Sequence, residues 1–179
     1  MAKAGSVVIV IDCSIAHAAG PETARHPTSK HCRDFLLAIL RICHRIGLSD
    51  AVADEWKRHR SGFARQWLVS MYARKKVVRI DAPADSALRD TISEFAASEI
   101  TRDAMLKDAH LVETATNSDR RVASLDDTVR RLFGEIATHS SEIRSIYWVN
   151  PDTEFEEVIE WLEAQAPLTA NRLLGNVLP

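Results

Sequence analysis

The chain of 179 residues has only three cysteines, Cys13, Cys32 and Cys43. So sparse and odd a set excludes a disulfide framework. Cys32 and Cys43 stand eleven residues apart, three helical turns, within the periodic segment CRDFLLAILRIC, and are expected to face the core together. His31 and His44 flank them, but this spacing matches no common closed zinc pattern. No apolar run approaches the roughly 18 residues of a membrane span, so no membrane partner is expected. The opening MAKAG leads straight into an apolar run without a secretory core or cleavage site, which sets the expectation of a cytoplasmic protein. Internal repeats and low-complexity linkers are also missing.

Excess charge of either sign is missing too. The formal net charge is −2, which excludes a globally basic nucleic-acid binder. The near-neutral total hides two segments of opposite sign. Residues 56–76, WKRHRSGFARQWLVSMYARKK, hold seven Lys/Arg and no acid; residues 151–163, PDTEFEEVIEWLE, hold six acids and no Lys/Arg. The apolar content of 46% and charged content of 27% are those of a soluble globular chain with a real core.

The element pattern alternates. Residues 6–12, SVVIVID, read as a short buried strand. A loop over 20–29 leads into a helix opened by Pro27 and Thr28/Ser29, with Phe35, Leu36, Ile39, Leu40 and Cys43 facing inward and Gly47 just past its end. Ser49 or Asp50 caps a second helix, and Ser61-Gly62 separates it from a third that runs to about Arg74. KVVRIDAP reads as the second strand. Asp85 opens a helix, and another covers about 102–116. RVASLDD reads as the third strand, DTVRRLFGEIATHS as a helix, and RSIYWVNP as the fourth strand. In TEFEEVIEWLEAQ, Phe155, Val158, Ile159 and Leu162 share one helical face. The tail from Ala166 lacks periodicity and is expected to wrap or extend. Strands separated by helices predict an α/β fold, a mainly parallel central sheet between helical layers.

Ligands of parallel α/β sheets bind outside the carboxyl ends of the strands. Two strands end there on aspartate: VVIVID on Asp12 and VASLD on Asp126. Glu55, in the helix LSDAVADEWKRH, and Asp108, in KDAHLVETA, are plausible neighbours. Clustered carboxylates repel one another and need compensation, which a hard divalent cation supplies. Mg²⁺ and Mn²⁺ prefer oxygen ligands, and such ions assist phosphodiester cleavage. Asp103 and Asp119 read as surface acids. Cys13 points away from Asp12 if the strand continues, and reads as a packed small residue.

The order Asp12, Glu55, Asp108, Asp126 resembles that of the PIN-domain family. VVIVIDCS resembles its opening strand, with Asp12 and Ser14. LSDAVADEWKRH resembles the segment holding its second acid, Glu55, and KDAHLVETA the helix with its third, Asp108, and the spaced Ala115. VASLDD resembles its strand-end Ser-x-Asp pattern, Ser124 and Asp126, with Asp127 adjoining. The resemblance spans about residues 6–150. It implies a three-layer α/β/α PIN-like nuclease domain over 1–150, with 151–179 an acidic amphipathic helix and tail appended to it.

The activity implied is that of a metal-dependent endoribonuclease, including the toxin of a toxin–antitoxin or defence system. Mg²⁺ or Mn²⁺ would be held by Asp12, Asp108 and Asp126, with Glu55 as ligand or water-orienting base. Ser14, Ser124 and Asp127 would support that set. Lys57, Arg58, Arg60 and Arg65 follow Glu55 directly and are candidate contacts to RNA phosphates. Trp56, Phe63, Trp67 and Tyr72 interleave with them, but Phe63, Trp67 and Met71 recur every four residues and read as core rather than as a base-stacking surface. The acidic segment is a candidate cover for the basic track, within one chain or across a homo-oligomer. RNA is the expected partner, and a protein antitoxin or regulator a second. A catalytically inactive PIN-like module that binds RNA or protein is the alternative. An aspartyl-phosphate phosphatase is disfavoured, because Asp-x-Asp would place an acid where Ser14 stands.

Overall fold

The computed structural model describes residues 5–176. Five strands form one all-parallel sheet: β1 (Val8–Ile11), β2 (Arg45–Leu48), β3 (Val77–Arg79), β4 (Arg121–Ala123) and β5 (Tyr147–Val149), in the order β3-β2-β1-β4-β5. Helices cover both faces, which makes the expected three-layer α/β/α arrangement. The helices are α1 (Cys13–Ala18), α2 (Pro27–Ile42), α3 (Asp50–His59), α4 (Gly62–Ala73), α5 (Ser86–Phe95), α6 (Glu99–Thr116), α7 (Asp127–Ile136), α8 (Ser141–Arg144) and α9 (Phe155–Glu163). Parallel strands covered on both faces must be apolar throughout. Every residue of β1, β4 and β5 is buried accordingly. Even Arg121 of β4 is buried, its guanidinium donating to the Ala166 and Asp119 carbonyls at 2.6 and 2.5 Å.

One strand was not expected. The first long helix ends at Ile42, not near Gly47, and Gly47 lies inside β2. Cys43 takes a left-handed conformation, φ 76°, which turns the chain out of the helix one residue after Ile42. Cys43 is therefore half-buried at a cap, while Cys32 faces the core with Phe35, Leu36 and Ile39. Gly47 is needed for closeness rather than for turning. A Cβ there would stand 3.0 Å from Val8 Cγ1 and 3.3 Å from Ile80 Cγ1. The four-residue strand RIGL, with its central glycine, carries too little pattern to separate from the helix before it.

The other expected elements form, with side-chain caps at several starts. Ser49 accepts from Val52 N, Ser61 from Ala64 N, Asp85 from Ala87 N and Leu88 N, and Asp126 from Val129 N. The short helices α1 and α8 were unforeseen. The tail wraps: Leu173 bridges Tyr147 antiparallel beyond β5, and Leu174 is fully buried. Asp119 is no simple surface acid, since its carboxylate accepts from Val8 N at 2.7 Å at the start of β1. Among the described residues, no helix is long and apolar enough to cross a membrane.

The strand order decides where a ligand can bind. From β1 the chain steps outward to β2 and β3, then returns across the sheet to β4 and β5. The connections beside β1 and β4 thus leave in opposite directions, and a crevice opens between them at their carboxyl ends. Asp12 follows β1, and Asp126 lies three residues beyond β4.

Buried Trp56 fixes α3 against this crevice by donating Nε1–H to the Ile11 carbonyl at 2.7 Å. Trp56→Phe keeps most of the apolar volume but strips that carbonyl of its donor. A loss of about 1–3 kcal/mol is expected, the cost of leaving a buried polar group unpaired, and urea unfolding measures it.

Candidate functional site

Asp12 is the centre of the arrangement. It directly follows β1, occupies the N-cap position of α1, and is only 7% exposed. Its Oδ2 accepts from Ser14 Oγ at 2.5 Å and from Ser124 Oγ at 2.7 Å, so Oδ1 is taken by neither serine. The two hydroxyls also organise the opposite turn: Ser124 Oγ accepts from Asp126 N at 3.1 Å, and Ser14 Oγ from Leu125 N at 3.3 Å. This is the physical content of the Ser-x-Asp spacing. One serine hydroxyl bonds the first carboxylate and holds the backbone that carries the last.

Two helices bring the other acids. Glu55 projects from α3 and Asp108 from α6. Those helices are tied near their far ends, where Thr114 Oγ1 lies 2.8 Å from Ser49 Oγ, the N-cap of α3. The Glu55 carboxylate, the Asp12 carboxylate and the Cys13 thiol have ligand atoms within 4.8 Å of one another. Asp108 is half-buried, and its pKa is pushed up to about 6, first by burial and then by the negative charge of Asp12, with a smaller push from Asp126. Lys107 and His110 oppose that shift without cancelling it. Asp126 is exposed at the crevice mouth, with Oδ1 engaged by Val129 N at 2.8 Å. Among the described residues, no lysine or arginine forms an ion pair with Asp12, Glu55, Asp108 or Asp126.

Asp127 is diverted from this group. Its carboxylate accepts from Asn150 Nδ2 at 3.0 Å and Thr153 Oγ1 at 3.3 Å, pinning the start of α7 to the turn after β5. Of the two adjacent aspartates, Asp126 is the one free of such a pairing.

Two members of the site escaped the sequence reading. Cys13 does not point away from Asp12, because the strand stops at Ile11 and α1 begins at once. The helical turn carries the thiol back toward Asp12 and Glu55. Burial, then those two carboxylates, push its pKa well above that of an ordinary thiol. His110, 8% exposed, is the second. Its Nδ1 donates to the Lys107 carbonyl at 3.0 Å, and its Nε2 lies 3.3 Å from Glu55 Oε2. That approach is close but not aligned for a hydrogen bond, so Nε2 is buried without a partner. Its position two residues after Asp108 was the available signal.

The basic track divides. Lys57, Arg58 and Arg65 are exposed, Arg60 is half-buried, and His59 is exposed with its carbonyl accepting from His17 Nδ1 at 3.0 Å. Trp56, Trp67 and Met71 are core residues and Phe63 packs against them, whereas Tyr72 is 58% exposed. The acidic helix α9 does not lie over Lys57, Arg58 or Arg65. It packs on α2, where Glu163 accepts from Arg41 at 2.8 Å and Phe155 stacks on His31, whose Nδ1 pairs with Asp152 at 2.8 Å. An apolar groove of about 740 Å³ between α2 and α9, lined by Leu37, Phe155 and Ile159, is separate from the carboxylates.

The residues fit a hard or borderline divalent cation. The Asp12 and Glu55 carboxylates converge with no lysine or arginine paired to them, and nearby Asp108 is raised first by burial and then by the charge of Asp12. Compared with protein-family models, with curated proteins and with solved structures, the chain matches none.

The Asp108 shift has a signed consequence. Between the ordinary carboxylate value of 3.8 and about 6, folded Asp108 holds a proton that the unfolded chain has released. This group therefore lowers stability as pH rises through that window, and the penalty is complete above it. Asp108→Asn should raise the melting temperature of the metal-free protein above about pH 6 and give no such gain below 3.8. Thermal unfolding across that range checks the sign.

Proposed function

We propose that this chain is a divalent-cation-dependent ribonuclease of the PIN type, cutting RNA phosphodiesters in the crevice beyond β1 and β4. The observation that carries the reading is the pair Asp12 and Glu55, brought together at the switch point of a parallel sheet, with Asp108 close enough to feel the charge of Asp12 and Asp126 and no lysine or arginine ion-paired to any of them. A purely structural set of buried acids is paired or hydrogen-bonded to neutrality. Here two serine bonds hold the Asp12 carboxylate in place, and no lysine or arginine pairs with it.

In this reading Asp12, Asp108 and Asp126 hold Mg²⁺ or Mn²⁺, and Glu55 is a further ligand or orients the attacking water. Bound, such an ion supplies Lewis acidity toward the phosphate and lowers the pKa of a water. Ser14 and Ser124 keep Asp12 in one rotamer, and Ser124 holds the turn before Asp126. Exposed Lys57, Arg58 and Arg65, on α3 and α4 just beyond Glu55, bind the RNA backbone.

Purified protein with single-stranded RNA and Mn²⁺ or Mg²⁺ tests this directly. Asp12→Asn and Asp126→Asn should each abolish cleavage, and Ser124→Ala should slow it about 10–100-fold, as expected for a group that positions a ligand. Cleavage that survives both aspartate substitutions defeats the reading. Binding without cleavage by the unsubstituted chain supports a non-catalytic module instead.

The basic track makes its own prediction. Replacing Lys57, Arg58 and Arg65 by alanine should weaken RNA binding about equally across sequences. It should also flatten the dependence of log affinity on log salt, by about 0.7 for each phosphate of a single strand that is no longer neutralised. Filter binding over a salt series measures both.

A further inference from the structure

The carboxylate site contains a sulfur. Cys13 Sγ lies within 4.8 Å of ligand oxygens of both Asp12 and Glu55, a spacing one ion spans after small side-chain rotations. The backbone imposes this placement. β1 ends at Ile11, α1 starts at Cys13, and Asp12 and Cys13 are consecutive across that junction. Glu55 comes from α3, which Trp56 locks to the Ile11 carbonyl.

A second observation points to a cation at the same place. His110 Nε2 is buried, makes no hydrogen bond, and stands 3.3 Å from Glu55 Oε2. Nδ1 is engaged by the Lys107 carbonyl, so Nε2 is the ring atom left facing the carboxylate. A buried polar atom left without a hydrogen-bond partner beside a carboxylate marks a place where a ligand completes the site.

Resting on the metal reading above, we propose that Asp12, Cys13 and Glu55 form a mixed oxygen–sulfur site for a borderline divalent cation, with His110 orienting Glu55. Three protein ligands with a position left for water is the pattern of catalytic zinc sites. A thiolate donor ranks cations by softness, so the order of affinity is Zn²⁺ and Co²⁺ above Mn²⁺, and Mg²⁺ weakest. Binding replaces the S–H bond by a sulfur–metal bond, and the proton leaves to solvent. Asp108, half-buried, and Asp126, exposed, lie outside this triad and remain available to a second ion or to the ordering of substrate.

Cobalt(II) alone is the probe. Titrating the intact protein should produce a thiolate-to-cobalt charge-transfer band in the near ultraviolet. The band should persist when Cys32 and Cys43 are both changed to serine, and disappear in Cys13→Ser and Cys13→Ala. His110→Gln should keep the band at saturation but weaken Co²⁺ binding about 10–100-fold, the effect of losing a group that orients a ligand. In competition, Zn²⁺ should displace Co²⁺ at far lower concentration than Mg²⁺ does.

Stoichiometric Co²⁺ binding without the sulfur band overturns the proposal, as does a band that survives loss of Cys13. Either result leaves the carboxylate site intact as a metal site, provided binding is lost in Asp12→Asn. If none of Mg²⁺, Mn²⁺, Co²⁺ and Zn²⁺ binds the unsubstituted protein, the metal reading falls as well. The double cysteine variant keeps Cys13 as the sole thiol, so the band can be scored even if the Cys13 substitutions fail to fold.

Discussion

Two serine hydroxyls on one carboxylate oxygen hold this site together. Ser14 reaches Asp12 from the first turn of α1, and Ser124 reaches it from the end of β4. Because both hydroxyls also accept backbone N–H groups from Leu125 and Asp126, the bonds join the ends of the two central strands. Remove them and the buried Asp12 side chain loses both of its hydroxyl donors, and a buried polar group left without a partner is costly. Asp126 would also lose the turn that carries it.

Around that point the protein concentrates like charge, and the surrounding packing sustains the repulsion. α3 is anchored by the Trp56 bond to Ile11, and α6 is tied to the start of α3 through Thr114. Glu55 and Asp108 are therefore delivered by rigid elements. The raised pKa of Asp108 records the consequence: burial and its neighbours hold it partly toward the neutral form. A bound cation, as proposed above, would relieve that repulsion.

The α/β class, the parallel sheet and the position of Asp12 just after β1 were legible from periodicity and from the acid that closes the apolar run; the strand expected to end on Asp126 stops at Ala123, and Asp126 instead caps α7. So were the helix starts near Ser49 and Asp85, because capping is a local event between a side chain and the next turn; Ser61, read only as a break, proves to be the cap of α4. Illegible were β2, a four-residue strand whose glycine is required by close contact with Val8 and Ile80, and the left-handed turn at Cys43 that frees it from α2. Short strands are defined by their neighbours in the sheet, and those neighbours are distant in sequence. Asp119 and Asp127 looked like other acids; their backbone and side-chain partners, 111 and 23 residues away, gave them structural duties.

The sequence by itself determined which carboxylates the fold can bring to the sheet's edge, since strand ends and helix faces follow from short-range pattern. Only the tertiary structure decided what stands among them. Whether Cys13 turns toward Asp12 depends on the residue at which β1 gives way to α1, and a shift of one position reverses a side chain. Whether His110 faces Glu55 depends on how α6 lies against α3. Those choices rest on packing between segments some 55 residues apart in the chain, where local pattern carries no information.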